Sequence, residues 1–350
     1  MLKFCNSPWT TVNIQRDGSV TMCLCPGWTK HPPIGNLNSQ SLQQVFESAA
    51  VLGFRESIYD QSFKFCNDDF CGQWYNRPDI ENFDHVVTTS LPTNIYLQNL
   101  DSSCNLSCES CRNDFYFSKE VDPVADLILS NLIDEYQSFE HDVRIQADGS
   151  GEMLMSIAYQ KFLRSDNFPK CFKLHINSNG TLLSKNIDLI TKLQDQIAGI
   201  SVSIDAATPE TYKKVRGGNF SVVLDGIRQV VDLGIPVVAQ FVVQQKNYHE
   251  ILSYIELTKS LGITWNHFGG ITRWPHMSND WWDENRITGN SCVDYKWLVS
   301  ALDEIKKLDN CGMNGVLEKI LNDGGSPQVF EPKDRSIMWI LKHKIQDPNI

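Results

Sequence analysis

The chain has 350 residues, 41% of them hydrophobic and 21% charged, which suits a soluble globular protein with room for one large domain or two ordinary ones. A formal net charge of −11 argues against nonspecific binding to nucleic acid or acidic membranes, and no apolar run reaches transmembrane length. The eleven cysteines are too sparse for a disulfide scaffold, and the start, M-L-K-F-C-N-S-P-W, lacks a signal-peptide core, so reduced thiols in a cytoplasmic protein, several of them on metal, are expected.

Thr10–Ile14 and Ser19–Cys23 are short β-prone runs joined by Gln15-Arg16-Asp17-Gly18, and Asp-Gly between two such runs signals a hairpin. Cys5 precedes the hairpin and Cys23 ends it, in a C-x12-G-x4-C arrangement, with Cys25 close enough to compete with Cys23. Ile34-Gly35-Asn36 leads into a short helix over Ser41–Ser48. Cys66 and Cys71 supply another pair of thiols. Arg77–Leu91 is polar and reads as a connector. At about 3.3 Å per extended residue it spans roughly 50 Å, enough to fold the first module back over the open side of the next domain.

From Thr93 strand-like and helix-like segments alternate. Strands are expected at Asn94–Leu100, Val143–Ala147, Lys173–Ser178, Ile200–Ile204, Val237–Gln244 and Thr264–Phe268. Helices are expected at Pro123–Glu135, where Pro123 suits a first turn, and at Ser184–Gln194, Phe220–Leu233 and His249–Leu261. Such alternation implies a parallel sheet with right-handed crossovers. Six units make an open, partial barrel, with ligands at the carboxyl ends of the strands.

The loop after the first strand, S-C-N-L-S-C-E-S-C-R, places Cys104, Cys108 and Cys111 in a C-x3-C-x2-C spacing. Three thiolates in one short loop can hold three corners of a 4Fe–4S cube and leave the fourth iron for a small chelating molecule. A zinc site or three unrelated thiols are the alternatives, although zinc sites usually present two C-x2-C pairs or Cys/His mixtures. After the second strand comes Gly149-Ser150-Gly151-Glu152, after the third Asn177-Ser178-Asn179-Gly180, and on the fourth Ser201-Val202-Ser203-Ile204-Asp205, followed by Arg216-Gly217-Gly218. Taken singly, these are a turn, a helix cap ahead of Thr208-Pro209-Glu210 and a surface arginine.

Together, in this order, they resemble the radical S-adenosylmethionine (radical SAM) superfamily, with Ser110 where the family usually has an aromatic residue before its third cysteine. The resemblance implies that the open iron holds the amino and carboxylate groups of S-adenosylmethionine, and that one electron breaks the sulfonium bond to give a 5′-deoxyadenosyl radical. It implies that Gly151 and Glu152 stand for the Gly-Gly-Glu motif, with Glu152 accepting from the methionine ammonium. Asn179 lies in the T-N-G-like turn, Ser203 and Asp205 lie by the ribose, and Arg216 pairs with the methionine carboxylate through its planar fork. The first module is similar to the auxiliary-cluster modules called SPASM, or twitch when they hold one cluster, here in an N-terminal position. That similarity assigns Cys5, Cys23, Cys66 and Cys71 to a second 4Fe–4S cluster, against a zinc knuckle on the same thiolates.

The expected fold is therefore α/β, a partial (β/α)6 radical SAM barrel over residues 93–270. A small β-hairpin/helix auxiliary module at 1–78 and a connector at 79–92 precede it, and a C-terminal extension at 271–350 packs on it. In that extension the Trp-rich stretch around Arg273–Met277 and Asp280–Asp283 reads as packing for the barrel's open end or as a substrate wall. Tyr295–Leu308 is an expected helix, and Cys171, Cys292 and Cys311 are expected to be plain buried thiols. The resemblance implies hydrogen abstraction from a peptide, with a small molecule such as a sugar as the alternative substrate, and an electron donor such as flavodoxin or ferredoxin. A reading from another class is a noncatalytic iron–sulfur electron carrier, which would have no need of Glu152, Ser203 and Arg216.

Overall fold

A computed structural model of the chain describes residues 2–23, 29–68, 71, 77–84, 86–112, 114–148, 151–274 and 276–323. Cys25, the Gly149-Ser150 pair and Pro275 lie outside the described residues.

The first segment carries β1 (Leu2–Lys3), α1 (Ser7–Thr10), β2 (Thr11–Gln15), β3 (Ser19–Met22), β4 (Gly35–Asn36), α2 (Leu42–Phe46), α3 (Ala49–Tyr59) and β5 (Asp79–Ile80). The Asp17-Gly18 turn works as the sequence suggests: Gly18 is left-handed at φ 79°, and β2 pairs antiparallel with β3. Helix α3 was not expected. Its N-cap Ser48 accepts from the Val51 amide, which satisfies one of the free first-turn donors.

The repeating part comprises β6 (Asn94–Gln98), α4 (Pro123–Glu135), β7 (Val143–Asp148), α5 (Ile157–Leu163), β8 (Phe172–Ser178), α6 (Ile187–Lys192), β9 (Ile197–Ser203), α7 (Pro209–Val215), α8 (Phe220–Asp232), β10 (Val237–Val243), α9 (Ile251–Ser260) and β11 (Trp265–Gly270). These six strands neighbour one another in sequence order, and every pairing among them is parallel. That is the alternating α/β architecture the sequence implies. Helix α8 shows why the periodicity was readable: Phe220, Val223, Gly226, Ile227 and Val230 are its buried residues, along one stripe.

The chain ends its described part with α10 (Asn279–Asn285), α11 (Tyr295–Lys306), β12 (Cys311–Met313) and α12 (Gly315–Asn322). Strand β12 joins the sheet in parallel beside β11. At the other edge β2 pairs in parallel with β6, Thr11 opposite Asn94 through Gln15 opposite Gln98. One ten-stranded sheet thus runs β12-β11-β10-β9-β8-β7-β6-β2-β3-β4. The hairpin module sits side by side with the barrel, and the Glu135 carboxylate at the end of α4 accepts from the Leu42 and Gln43 amides at the start of α2.

The two faces of this sheet differ. Val12, Ile14, Ile95, Leu97, Ile145, Leu174, Ile176, Val202 and Phe241 belong to the apolar core under the helices. The alternate positions, among them Asn13, Gln15, Tyr96, Gln98, Gln146, His175, Asn177, Ser201 and Gln240, point the other way, since side chains alternate along a strand. Closed barrels fill that interior with Val, Ile and Leu. Here it is polar, which makes it a lumen suited to a ligand rather than a packed core.

Candidate functional site

The three thiols of the C-x3-C-x2-C loop come after β6, at the carboxyl end of the sheet. Cys104 and Cys108 are buried and Cys111 is exposed. The loop is fixed from within: the Cys104 amide donates to the Tyr116 carbonyl at 2.8 Å, and the Cys111 and Arg112 amides donate to the Cys108 carbonyl at 2.8 and 3.0 Å. Burial pushes the Cys104 and Cys108 thiols up, while Arg112 opposes this at Cys104 and Arg216 opposes it at Cys108. The two cations partly offset the burial that holds these thiols protonated; the thiolate is the form that binds iron. Among the described residues no three His, Cys, Asp or Glu side chains converge as a single-ion site; in a cube each thiolate serves a different iron, so the donor set fits that group.

Glu152 is 1% exposed. Its carboxylate accepts from the Asn179 amide at 2.6 Å, the Ser178 hydroxyl at 3.0 Å and the Leu154 amide at 3.2 Å. Burial raises its pKa, against those hydrogen bonds and the Arg216 charge. Asn179 is the hinge of the site. Its Nδ2 donates to Asn105 Oδ1 at 2.9 Å and approaches Cys104 Sγ at 3.6 Å, while its main-chain amide holds Glu152. Gly180 makes the turn possible: its φ is 79°, and a Cβ there would lie 2.7 Å from Val223 Cγ1. Gly151 needs its missing side chain for a different reason, since a Cβ would meet the Asp101 carbonyl oxygen at 2.3 Å.

Arg216 approaches from the other side. Its carbonyl accepts from Cys108 Sγ at 3.5 Å, and its Nη1 pairs with Asp205 Oδ2 at 3.0 Å. The resemblance pairs this guanidinium with a methionine carboxylate; in the structure its first partner is Asp205, while its Nε is buried without a hydrogen-bond partner. Asp205 also accepts from the Val242 amide at 2.6 Å and sits at φ 59°, a conformation Asp tolerates better than most residues. Burial raises its pKa, with Arg216 opposing. Ser203 is half-buried on the inner face of β9, level with Gln240.

The structure brings the other four thiols together as well. The Cys23 thiol is pushed well up by burial and then by Cys5, Cys66 and Cys71, all near enough to act on it. Cys23 is left-handed at φ 73°, and all four are half-buried. Cys5 precedes β2 and Cys23 comes just after β3, so both lie at the amino-terminal end of β6, opposite the C-x3-C-x2-C loop. Of the remaining thiols, Cys171 and Cys311 are half-buried, but Cys292 is exposed. Its neighbour Ser291 is exposed too, and a buried-thiol reading does not hold for Cys292.

Several residues escaped the sequence reading. Asp101 receives the Ser103 amide at 2.8 Å and the Ser156 hydroxyl at 2.6 Å, tying the thiol loop to the N-cap of α5. Glu109, between two of the thiols, accepts from Lys246 Nζ at 2.9 Å and Trp281 Nε1 at 3.0 Å. These partners are distant in sequence, so no local signal marks them. Trp281 packs beside the thiol loop; Trp274 is exposed.

Comparison with known proteins gives two family matches. The radical SAM superfamily model covers residues 101–258, and the SPASM iron–sulfur cluster-binding domain covers residues 5–72. A protein of Saccharolobus islandicus named "Probable GTP 3′,8-cyclase" is 39% identical over 97 residues, 26% of this chain and 30% of that protein. One of the same name from Methanococcus maripaludis is 25% identical over 167 residues, 45% of this chain and 53% of that one. The matched stretch thus spans less than two thirds of either relative. Among solved structures, Streptococcus suis SuiB bound to precursor peptide SuiA aligns over 92% of this chain and 75% of that one at 11% identity and a TM-score of 0.47. The structure of anSMEcpe with bound AdoMet and Cp18Cys peptide aligns over 60% and 58% at 16% identity and a TM-score of 0.45.

Proposed function

From the premise that this chain belongs to the radical SAM superfamily, with an iron–sulfur cluster-binding domain ahead of the barrel, we propose that it cleaves S-adenosylmethionine reductively and abstracts hydrogen from a substrate held in the polar lumen. Membership implies a 4Fe–4S cluster and S-adenosylmethionine, and the auxiliary domain a further cluster. The cluster supplies the electron that breaks the sulfonium bond. The chain's residues do the rest. Cys104, Cys108 and Cys111 hold the cluster and leave one iron open. Glu152 accepts from the methionine ammonium, with Gly151 letting its loop close on Asp101. Arg216, steadied by Asp205, meets the methionine carboxylate, and Ser203 faces the ribose. Cys5, Cys23, Cys66 and Cys71 hold the auxiliary cluster within a module at residues 1–78.

One observation supports this most: Asn179 touches the Cys104 sulfur with its side chain and the Glu152 carboxylate with its amide. The ammonium acceptor therefore stands one residue away from a cluster thiol, as chelation at the open iron requires. A noncatalytic electron carrier gains nothing from a carboxylate buried at that cost. The test is to reduce reconstituted protein with S-adenosylmethionine and measure 5′-deoxyadenosine. A silent protein with full iron content would leave the carrier reading in its place.

A peptide is the favoured substrate, because auxiliary modules of this type often accompany peptide modification. A small molecule is the second reading, favoured by the 97-residue similarity to proteins named as GTP 3′,8-cyclases. Deuterium transfer into 5′-deoxyadenosine, from a labelled peptide or from labelled GTP, distinguishes them. The electron donor proposed is a flavodoxin or ferredoxin.

A further inference from the structure

Arg77 stands in a stretch that reads as polar connector, yet it is 6% exposed. Burying a guanidinium is costly unless its charge is met. Its guanidinium carbon lies 4.0 Å from the centroid of the Phe63 ring, and Phe63 packs in the small apolar cluster that includes Trp9, Cys5 and Cys66. Burial pushes the Cys66 and Cys23 thiols up, and the nearby Arg77 charge opposes this at both. The main chain holds it there. The Phe4 amide donates to the Pro78 carbonyl at 3.0 Å, and Leu2–Lys3 pairs antiparallel with Asp79–Ile80. The residue after Arg77 is thus stitched to the residue before Cys5. Arg77 and Cys5 also line one cavity of about 440 Å³ with Thr11, Asn94 and Tyr96, which brings the cation and one of the thiols to the side of the first barrel strand.

A cube held by four thiolates is anionic, and one electron makes it more so. A fixed cation in a buried site stabilises the more negative, reduced form most, which raises the reduction potential. We propose that Arg77 is the internal counter-ion of the four-thiol site: it offsets the thiolate charge and holds the midpoint potential above the value the same four thiolates would set alone. The inference rests on the reading of Cys5, Cys23, Cys66 and Cys71 as a cluster's ligand set. Arg77 acts through those thiolates and is a positioning residue.

The test uses the full chain with Cys104, Cys108 and Cys111 replaced by Ala, so that iron binds at the auxiliary site alone. Iron and sulfide content and a redox titration followed by electron paramagnetic resonance are compared for this parent and for its Arg77→Lys and Arg77→Gln forms. The expected result is a fully loaded Arg77→Gln form whose reduced-to-oxidised ratio, poised at the parent midpoint, falls about tenfold. That corresponds to a potential about 59 mV lower for one electron, and Arg77→Lys should recover most of the difference. Loss of iron from the Gln form with retention in the Lys form supports the proposal equally, since assembly then needs the charge. An unchanged potential in the Gln form overturns it. So does loss of iron from both forms, which makes packing on Phe63 the role of Arg77. A parent that binds no iron removes the ligand-set reading itself, and the proposal with it; that control does not depend on Arg77.

Discussion

Glu152 is costly to keep charged where it stands. Burial raises its pKa, so the native state binds its proton more tightly than the unfolded chain does. By linkage, this group's contribution to stability falls as pH rises from the ordinary carboxylate range, about 4.3 for Glu, through the raised value. Glu152→Gln removes that dependence while keeping an oxygen for the Asn179 amide. In cluster-free protein above that window the variant should melt higher than wild type, and the gap should close as the medium is acidified; Asp205, also raised by burial, leaves a residual slope. Equal pH profiles for the two proteins would show that the carboxylate is not destabilising. In loaded protein the same change removes a charge-assisted hydrogen bond worth about 1.5–3 kcal/mol, so S-adenosylmethionine should bind roughly ten- to a hundredfold more weakly. Gly151→Ala tests the neighbouring position by sterics. A methyl placed 2.3 Å from the Asp101 carbonyl oxygen must push the Glu152 and thiol loops apart. Weakened S-adenosylmethionine binding is expected from this change, and a variant with wild-type affinity would show that the loops can separate freely.

At the scale of elements, the thiol loop is restrained on several sides. Asp101 ties it to α5, Asn179 to the loop after β8, and Glu109 to Lys246 and to Trp281 of α10. The Glu109 side chain is 60% exposed, so its ion pair is worth about 0–1 kcal/mol. Trp281→Phe should therefore leave the thermal midpoint nearly unmoved, yet speed amide exchange across residues 105–112. A large loss of stability would mean that α10 supports the core rather than the loop. The helices were legible where local rules suffice: Pro123 at the first turn and an apolar stripe located Pro123–Glu135 to the residue. Strand β12 was not legible, because Cys311–Met313 is three residues long and owes its existence to β11. The thiols, Glu152, Asn179 and Arg216 were readable because residue type, spacing and order after successive strands coincide. Asp101, Glu109 and Arg77 were not, because each matters through a partner that only the folded chain supplies.

Across the whole molecule, the sheet carries its two thiol sets at opposite ends of β6. The sequence suggested a module folded back over the barrel's open side. The pairing of β2 with β6 places it beside the first barrel strand instead, and the chain directions of β2 and β3 set where its thiols lie. Asn94 to Gln98 is four steps of about 3.3 Å, roughly 13 Å, so with the loops at each end two bound clusters would lie roughly 15–20 Å apart along β6. A substrate radical formed beside the Cys104 loop would then have an electron acceptor within that distance. Reconstituted protein should bind about eight irons per chain, four for each cube. With Cys5, Cys23, Cys66 and Cys71 all changed to Ser, iron should fall to about four. That variant, given a strong chemical reductant, should still release 5′-deoxyadenosine from S-adenosylmethionine, yet accumulate no oxidised substrate product. Iron near four in the wild type with stoichiometric zinc would remove the auxiliary cluster altogether. Full product formation by the four-thiol variant, or a spin–spin distance above about 25 Å, beyond the radius of a domain this size, would leave the second cluster as a relay to a partner protein.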